Sequence, residues 1–389
     1  MNGPRQQTLF TSSGDPVGTP PEGPSSLAAA PPAPSSPPDY TPREAPAHTE
    51  APDLPTGVAP APFTLSSEPP APRRRTPPVE AAPIPSAVRT LAGALPPGRR
   101  LGTSSWGFAG WEGLVWGGRY TDERLSREGL GAYAAHPLLR SVGLDRTHYR
   151  PMAAQALAAL AAQVPADFRF LVKAHEDCTL ARFPGHARYG ARRDQKNALV
   201  LDAGYALDAV VGPTLEGLGA RAGVILFQFA PQPLAQLGGV EHFVERLHAF
   251  LAALPRGTAH LAVEVRSPAL LVPAYAEALH DVGAVPALSA WNGLPPINEQ
   301  FRRTRAAEAP ARVIRWMLQE GTTYEEAKDR YAPFDRLVEP DPVTREAIAA
   351  LCDDLTRDTY VIANNKAEGS APRSLLALAE RIVARRPPT

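Results

Sequence analysis

The chain has 389 residues, and 44% of them are hydrophobic, which is enough to build a sizeable core. Its 40 lysines and arginines balance its 40 aspartates and glutamates, which argues against a generally basic protein that coats nucleic acid. Two cysteines, Cys178 and Cys352, are too few for a disulfide framework or a four-thiolate zinc site. We expect both to be small buried residues in a reducing compartment.

The sequence predicts a cytoplasmic protein that makes no membrane contact. Met1–Phe10 has no apolar run typical of a secretory signal. No stretch approaches the ~18 uninterrupted apolar residues of a membrane span.

The first quarter of the chain, Met1–Pro97, differs in composition from the rest. It holds 25 of the 45 prolines. Proline removes backbone donors, and so polar a segment buries too little apolar surface to fold. The composition predicts a disordered tail with polyproline-II character over residues 1–97.

From residue 98 to residue 389, short apolar runs alternate with longer amphipathic ones. Eight runs are predicted to be strands: Arg100–Ser104, Leu139–Leu144, Phe168–Lys173, Gly223–Phe229, His260–Val265, Val285–Ser289, Ala311–Trp316 and Thr359–Ala363. Near-continuous apolar strands that alternate with helices indicate a parallel sheet covered by helices. Eight such units in one domain favour an α/β fold of the (β/α)₈ TIM-barrel type.

Four predicted helices directly follow a proline, which is a common signal for the start of a helix. They are predicted at Met152–Gln163, Ala269–Val282, Val343–Leu355 and Arg373–Ala384. The segment Asn292–Pro310 lacks a helical pattern, and we expect it to be a long loop.

In a TIM barrel the chemistry lies at the carboxyl ends of the strands, so polar residues there are candidates. Four were assigned to catalysis: Lys173, Glu264, Asp145 and His175. Charges at the tips of apolar strands must pair, be neutralised or face a wet cavity. A structural ion pair of Lys173 with Glu264 is the alternative.

Other strand-end residues suit ligand binding. The candidates for substrate binding are Trp106, Tyr149, Gln228, Arg266, Trp291, Arg315, Asn364 and Asn365. Two arginine-rich segments, Arg182–Lys196 and Arg302–Arg315, follow strand ends and are expected to rim the same face, where they would attract anions. The helix beginning near Ser370 is a further candidate for phosphate binding on backbone donors. We predict no metal and no cofactor, because His148 and His175 lack metal-binding spacing.

Several motifs together resemble one family. They are Gly102-Thr103-Ser104-Ser105-Trp106 with Trp111, Thr147-x-Tyr149-Arg150, Phe168–Ala174, Leu226–Phe229, Ala262–Pro268 and Asn364-Asn365. In order and spacing the chain is similar to the YecE-like family (domain of unknown function seventy-two) from Gly102 to Ile382. The resemblance implies a TIM barrel and implies no established activity.

The chain departs from that family at three strand ends. The usual Glu-x-Asn of strand 2 is Gly143-Leu144-Asp145 here, and the usual Phe beside Tyr149 is His148. A His-Asp pair after strand 6 is replaced by Ala290-Trp291-Asn292, and Arg-Leu-His-Gly on strand 7 becomes Arg315–Leu318. These changes leave open whether this member keeps a family chemistry.

Two functions of different class follow from these residues. The first is an enzyme, a hydrolase or lyase, that acts on a phosphorylated or otherwise anionic small molecule. In it Glu264 is the acid/base, and Lys173 and Arg266 stabilise charge. The second is a non-catalytic module that binds a ligand or nucleic acid through a basic rim and exposed aromatic residues.

Overall fold

The computed structural model describes residues 77–386, and its centre is a closed barrel of eight parallel strands in chain order. The strands are β1 Arg99–Thr103, β2 Ser141–Leu144, β3 Arg169–Lys173, β4 Ala222–Phe229, β5 His260–Val265, β6 Val285–Ala290, β7 Arg312–Trp316 and β8 Thr359–Ala363. Pairing of β1 with β8 closes the barrel, with Arg99 opposite Thr359 and Thr103 opposite Ala363. The predicted TIM-type barrel is confirmed.

Helices lie before, between and after the strands. They are α1 Ser86–Ala94, α2 Asp122–Glu128, α3 Leu130–Ala134, α4 Ala154–Ala161, α5 Ala203–Ala206, α6 Gly212–Leu218, α7 Val240–Ala253, α8 Pro273–Asp281, α9 Ile297–Arg303, α10 Tyr324–Tyr331, α11 Pro342–Leu351 and α12 Ala371–Ala384. Local chemistry fixes several starts: the Asp341 side chain accepts from Thr344 N before α11, and Thr323 and Glu326 form a capping box at α10.

The prediction of a structureless tail is wrong for its last part. Residues 1–76 lie outside the described residues, but α1 (Ser86–Ala94) falls within residues 77–97. Ala82 is buried, and its amide donates to Val115 O at 2.9 Å. Val79, Val88 and Leu91 pack against the core, which gives this stretch the apolar burial that its proline content concealed.

The predicted loop Asn292–Pro310 is also wrong, because it contains α9. The helix is only seven residues long and begins after Pro296. Ile297 and Gln300 are its buried residues, and the Gln300 side chain exchanges hydrogen bonds with the backbone N and O of Ser289. So short a helix, rich in charged residues, shows too little apolar periodicity to be recognised.

Side chains alternate along each strand between two cores. An outer core packs the helices onto the barrel, and an inner core fills the barrel with residues such as Leu171, Leu226, Ala262 and Val313. The same alternation shows which residue at the carboxyl end of each strand is the last to point into the barrel. The fold therefore brings one ring of side chains together at the carboxyl-terminal mouth.

Two sequence predictions concern the rest of the chain. Cys178 and Cys352 are both buried free thiols, as expected. Between residues 77 and 386, no helix combines the length and the apolar character needed to cross a bilayer.

Candidate functional site at the barrel mouth

The barrel mouth collects six polar residues, which we call the mouth cluster: Asp145, Lys173, Gln228, Glu264, Arg266 and Arg315. Four follow an inner-core position by two residues: Lys173 follows Leu171, Gln228 follows Leu226, Glu264 follows Ala262 and Arg315 follows Val313. Gln228 and Glu264 are partners in the register of β4 and β5. All six were predicted from the sequence: four lie on different strands, Asp145 follows the last residue of β2, and Arg266 follows the last residue of β5.

Glu264 is fully buried between two guanidinium groups. Its Oε1 lies 2.7 Å from Arg266 Nε, and its Oε2 lies 3.4 Å from Arg315 Nε. Burial alone would raise the pKa of Glu264, but Arg266, Arg315 and Lys173 outweigh it and hold the pKa below its ordinary value. A carboxylate held ionised is unsuited to donate a proton near neutral pH. The acid/base role of Glu264 stays a prediction, and the contacts are those of a carboxylate that positions the two arginines.

Lys173 is the cation of the mouth cluster that lacks a direct counter-ion. Among residues 77–386, no carboxylate oxygen lies within 4.0 Å of its ammonium group, so the predicted alternative of a Lys173–Glu264 ion pair is not formed. The pKa of Lys173 is lowered to about 8, chiefly by burial; the charges of Arg266 and Arg315 add to this effect, and the carboxylates of Asp145 and Glu264 oppose it.

Arg315 is almost completely buried, with 1% of its surface exposed. Its Nη2 lies 3.4 Å from Met317 Sδ and 3.7 Å from Asp145 Oδ1. Its Nη1 is enclosed and has no hydrogen-bond partner within the described part of the chain. A buried donor without a partner costs free energy, which points to a position where something else accepts from it.

Arg266 is held over an aromatic ring. Its guanidinium carbon lies 3.7 Å from the centre of the Trp291 ring, while Nε pairs with Glu264. Trp291 was predicted to bind substrate, but one face of its ring is occupied by this cation–π contact. Arg266 is thereby fixed at the rim of the mouth.

Two residues missed by the sequence analysis complete the rim on the side of α10. Lys366 is buried, with Nζ 4.0 Å from the centre of the Tyr324 ring. Burial lowers the pKa of Lys366 to about 8. Burial also raises the pKa of Tyr324 to about 12, helped by the nearby Tyr149 and Asp145. The capping box at Thr323 was the available signal for α10, but nothing local indicates that α10 reaches β8.

Tyr149 stands at the open side of the mouth. It is 47% exposed, which is high for an aromatic residue, and the guanidinium of Arg188 lies 5.0 Å from its ring centre. Burial of part of the ring and the charge of Asp145 raise its pKa. The prediction that Tyr149 can meet a ligand is compatible with this position.

A second polar cluster follows β3, and we call Glu176, Asp177, Arg188, Tyr189 and Arg192 the β3-loop cluster. Arg188 Nη2 lies 2.6 Å from Glu176 Oε2, which also accepts from Tyr189 Oη at 2.9 Å. Arg192 Nη2 lies 2.5 Å from Asp177 Oδ1. Two of the five cations in the predicted basic rim of Arg182–Lys196 are therefore paired with buried acids.

His175 belongs beside the β3-loop cluster and is not a member of the mouth cluster. Its Nδ1 lies 2.7 Å from Tyr205 Oη and 3.9 Å from Asp177 Oδ1. The catalytic role of His175 stays a prediction; its Nδ1 is engaged in this buried contact outside the mouth cluster.

His148 lies between Lys173 and the β3-loop cluster. Its Nδ1 is 3.1 Å from Ala174 O, and its Nε2 is 3.9 Å from Glu176 Oε2. Burial, followed by the charge of Lys173, lowers the pKa of His148 well below its ordinary value. The ring is therefore a neutral bridge between the two clusters.

The second predicted basic rim lies mostly at the other end of the barrel. Arg312 is the first residue of β7, and it pairs with Asp354 at the amino-terminal end. Arg303 pairs with Glu299 and Arg305 with Glu308. The expectation that Arg302–Arg315 rims the mouth is wrong except for Arg315, because α9 runs back to the bottom before β7 begins.

Three predicted ligand-binding residues have structural partners instead. Trp106 is buried, and its Nε1 donates to Leu125 O at 3.0 Å. Asn364 Nδ2 donates to Ser104 Oγ at 2.9 Å, and its Oδ1 accepts from Lys366 N. Asn365 Oδ1 accepts from Trp111 Nε1 and from Ala371 N, the first amide of α12. These contacts leave only the partly exposed Asn364 able to face the mouth.

The predicted phosphate cradle at the start of α12 is closed. Ser370 is fully buried, and a Cβ at Gly369 would lie 2.5 Å from Arg336 O. Val338 N donates to Glu368 O at 2.7 Å, which fixes the covering loop. The helix amino terminus therefore meets protein groups.

Two further features were compared with the mouth. A surface cleft of about 380 Å³ between α11 and α12 is lined by Arg345, Glu346, Glu380 and Arg381, whose charges offset one another. In the part of the chain that the structure describes, no three His, Cys, Asp or Glu side chains converge in a metal-binding group. The mouth cluster remains the strongest candidate site.

Comparisons with known proteins identify the family of the chain. A family model described as "Protein of unknown function DUF72" matches residues 100–388, which confirms the resemblance found in the motifs. A DUF72 family protein from Enterococcus faecalis is 17% identical, with 73% of this chain and 94% of that chain covered and a TM-score of 0.49. A DUF72 family protein from Thermotoga maritima is 20% identical, with 72% and 97% covered and a TM-score of 0.47.

A methyltransferase from Methanosarcina mazei is 13% identical, with 77% of this chain and 96% of that chain covered and a TM-score of 0.38. No curated protein matches the chain. The structural likenesses are too distant to bear on the chemistry of the mouth.

Proposed function

This chain belongs to the DUF72 family of proteins of unknown function, and from that premise we propose that it is an enzyme acting on a small anionic substrate at the barrel mouth. The reaction is of the hydrolase or lyase type, in which a proton is removed and returned. Lys173 transfers that proton, and Arg315 with Arg266 holds the anion. Glu264 positions the two arginines.

The single observation that carries this proposal is the setting of Lys173. Its amine lies among two guanidinium groups without a carboxylate within 4.0 Å, and its pKa is lowered to about 8. A substantial fraction of the amine is then neutral near physiological pH, as a general base must be.

Charge at the mouth supports an anionic substrate. Lys173, Arg266 and Arg315 supply three positive charges against the two carboxylates of Asp145 and Glu264. The enclosed Nη1 of Arg315 offers a donor to an anionic oxygen. In a site sheltered from water, such a donor stabilises negative charge that develops during a reaction.

The alternative of a nucleic-acid partner receives less support from the same geometry. The nucleic-acid alternative depended on two basic rims. In one rim, Arg188 and Arg192 are paired with buried acids, and the other rim lies mainly at the opposite end of the barrel. The alternative of ligand binding without catalysis uses the same residues as the enzyme. A substrate screen separates it from catalysis.

Amine labelling across pH tests the setting of Lys173. The chain has four lysines, Lys173, Lys196, Lys328 and Lys366, so peptide mapping resolves each one. We expect Lys173 labelling to rise with a midpoint near its pKa of about 8 and to slow when inorganic phosphate is added. The exposed Lys196 corrects for reagent reactivity. Absence of both effects at Lys173 would contradict the proposal.

Catalysis is tested with a mixture of phosphorylated and carboxylated metabolites, followed by mass spectrometry. Wild type and the control Lys196→Met should deplete one class of compound, and Lys173→Met should not. Lys173→Met should still bind phosphate through Arg315. Phosphate binding without depletion by any form would favour the non-catalytic alternative.

A further inference from the structure

The mouth cluster contains unpartnered acceptors as well as donors. The Gln228 side chain is 5% exposed, and its enclosed Oε1 accepts no hydrogen bond from residues 77–386. The enclosed Oδ1 of Asp145 likewise accepts none, and its nearest ion-pair atom, Arg315 Nη2, is 3.7 Å away. Gln228 is thus a polar side chain more than nine-tenths buried that points from the last inward position of β4 into the mouth.

These acceptors define the other half of a ligand. A buried acceptor without a donor is costly, so a group with O–H or N–H bonds fits beside Gln228 and Asp145. An ammonium group would be repelled by Lys173, Arg266 and Arg315, whereas a neutral hydroxyl would not. The donors and acceptors lie on one ring, so a single small molecule can meet both.

Resting on the proposed function, we propose that the substrate is a hydroxylated oxyanion, the phosphate ester or carboxylate of a polyol. Its anionic oxygens accept from Arg315 and Lys173. One hydroxyl donates to the amide oxygen of Gln228, and another donates to the carboxylate of Asp145. The Gln228 amide is thereby a specificity-determining group that selects hydroxylated anions from plain ones.

Binding of matched pairs tests this selection by calorimetry. Glycerol 3-phosphate is compared with propyl phosphate, and glycerate with propionate, so that each pair differs only in hydroxyl groups. We expect wild type to bind the hydroxylated member of one pair about tenfold more tightly, the worth of one or two well-placed hydrogen bonds. The pair that shows the preference identifies the anionic group.

Substitutions show which residues cause the preference for the hydroxylated member of a pair. Gln228→Met should bring the affinities for the two members of the pair close to each other, and Gln236→Met, at an exposed glutamine after the same strand, should retain the preference. If Gln228→Met does not fold, Asp145→Asn replaces it and should also reduce the preference.

The outcomes separate this inference from the proposed function. Equal binding of both members of each pair overturns the inference and leaves an anion site in place. Binding of no anion by wild type overturns the proposed function and the inference with it. A preference that survives both Gln228→Met and Asp145→Asn also overturns the inference, because the selecting group is then elsewhere.

Discussion

The mouth cluster and the β3-loop cluster are built from the same residue types, but they differ in how completely their charges are paired. In the β3-loop cluster each buried acid has its own arginine, Glu176 with Arg188 and Asp177 with Arg192. In the mouth cluster the cations outnumber the acids, and enclosed atoms of Gln228 and Arg315 lack partners. The contrast teaches that buried charge alone does not mark a site. The candidate site is distinguished by buried polar atoms that lack hydrogen-bond partners.

The largest effect that should separate the two regions comes from removing one acid in each. Glu264→Gln leaves two buried guanidinium groups without their counter-ion and should lower the free energy of unfolding by about 3 kcal/mol. Phosphate should restore part of this loss, because it binds the native mouth. Urea unfolding with and without phosphate measures both quantities.

Glu176→Gln is the matched control for that experiment. It also removes a buried acid from an arginine, but among residues 77–386 no enclosed side-chain atom of the β3-loop cluster lacks a hydrogen-bond partner. Glu176→Gln should lower the free energy of unfolding, and phosphate should not restore it. Equal recovery of both variants would erase the distinction between the clusters.

A smaller effect concerns His148, which joins the two regions. It faces Lys173, Arg188, His175 and Glu176, and its folded-state pKa lies well below 6.5. The unfolded chain therefore binds a proton near pH 6.5 that the native state does not, so stability falls as the pH drops below that value. His148→Phe should remove up to about 2 kcal/mol of this loss between pH 7 and pH 5.

The comparison of wild type and His148→Phe by urea unfolding at both pH values measures the difference. All other titrating groups are shared, so their contributions largely cancel. An unchanged gap between the proteins at pH 7 and pH 5 would show that His148 charges freely in the native state. The two clusters would then be less tightly sealed from water than their contacts indicate.

The smallest expected effect on stability is that of Lys173, and it changes at alkaline pH, whereas that of His148 changes at acidic pH. Its pKa falls from 10.5 in the unfolded chain to about 8 in the native state, so the native state binds fewer protons between these values. Stability linked to Lys173 is therefore lowest below pH 8 and rises toward pH 10.5. Lys173→Met should be more stable than wild type by about 1 kcal/mol at pH 7, as expected for loss of a functional but strained group.

That advantage of Lys173→Met should shrink as the pH approaches 10. Thermal or urea unfolding at pH 7 and pH 10 measures the change, with Lys196→Met as the matched control. A Lys173→Met protein less stable than wild type at pH 7 would mean that the ammonium is well compensated. Lys173 would then resemble the paired charges of the β3-loop cluster.

Much of the barrel was predictable from the sequence. The interior strands are near-continuous apolar runs, and two of them, His260–Val265 and Thr359–Ala363, have the predicted bounds. Side chains alternate between the two faces of a strand, so the sequence indicates which residues at the strand ends point into the barrel. Lys173, Gln228, Glu264 and Arg315 hold such positions and meet as expected. Alternation is a local property of a strand, so a sequence can show it.

The rest depended on contacts between distant segments. No local pattern indicates that Arg188 and Arg192 fold back onto Glu176 and Asp177, which reduces the charge of the predicted basic rim. Nor does it indicate that α9 carries Arg302–Arg312 to the bottom of the barrel. The contact of Lys366 with Tyr324 likewise joins two elements separated by α11 and β8.

The position of Trp291 gives the molecule an intrinsic optical reporter. Four of the five tryptophans are sealed in packed surroundings, with 2% or less of their surface exposed: Trp106, Trp111, Trp116 and Trp316. Trp291 is partly exposed, and the Arg266 cation lies directly over its ring. An anion that draws Arg266 toward the mouth would change the electric field at this one indole. Emission from an unlabelled sample would then follow occupancy of the mouth in real time.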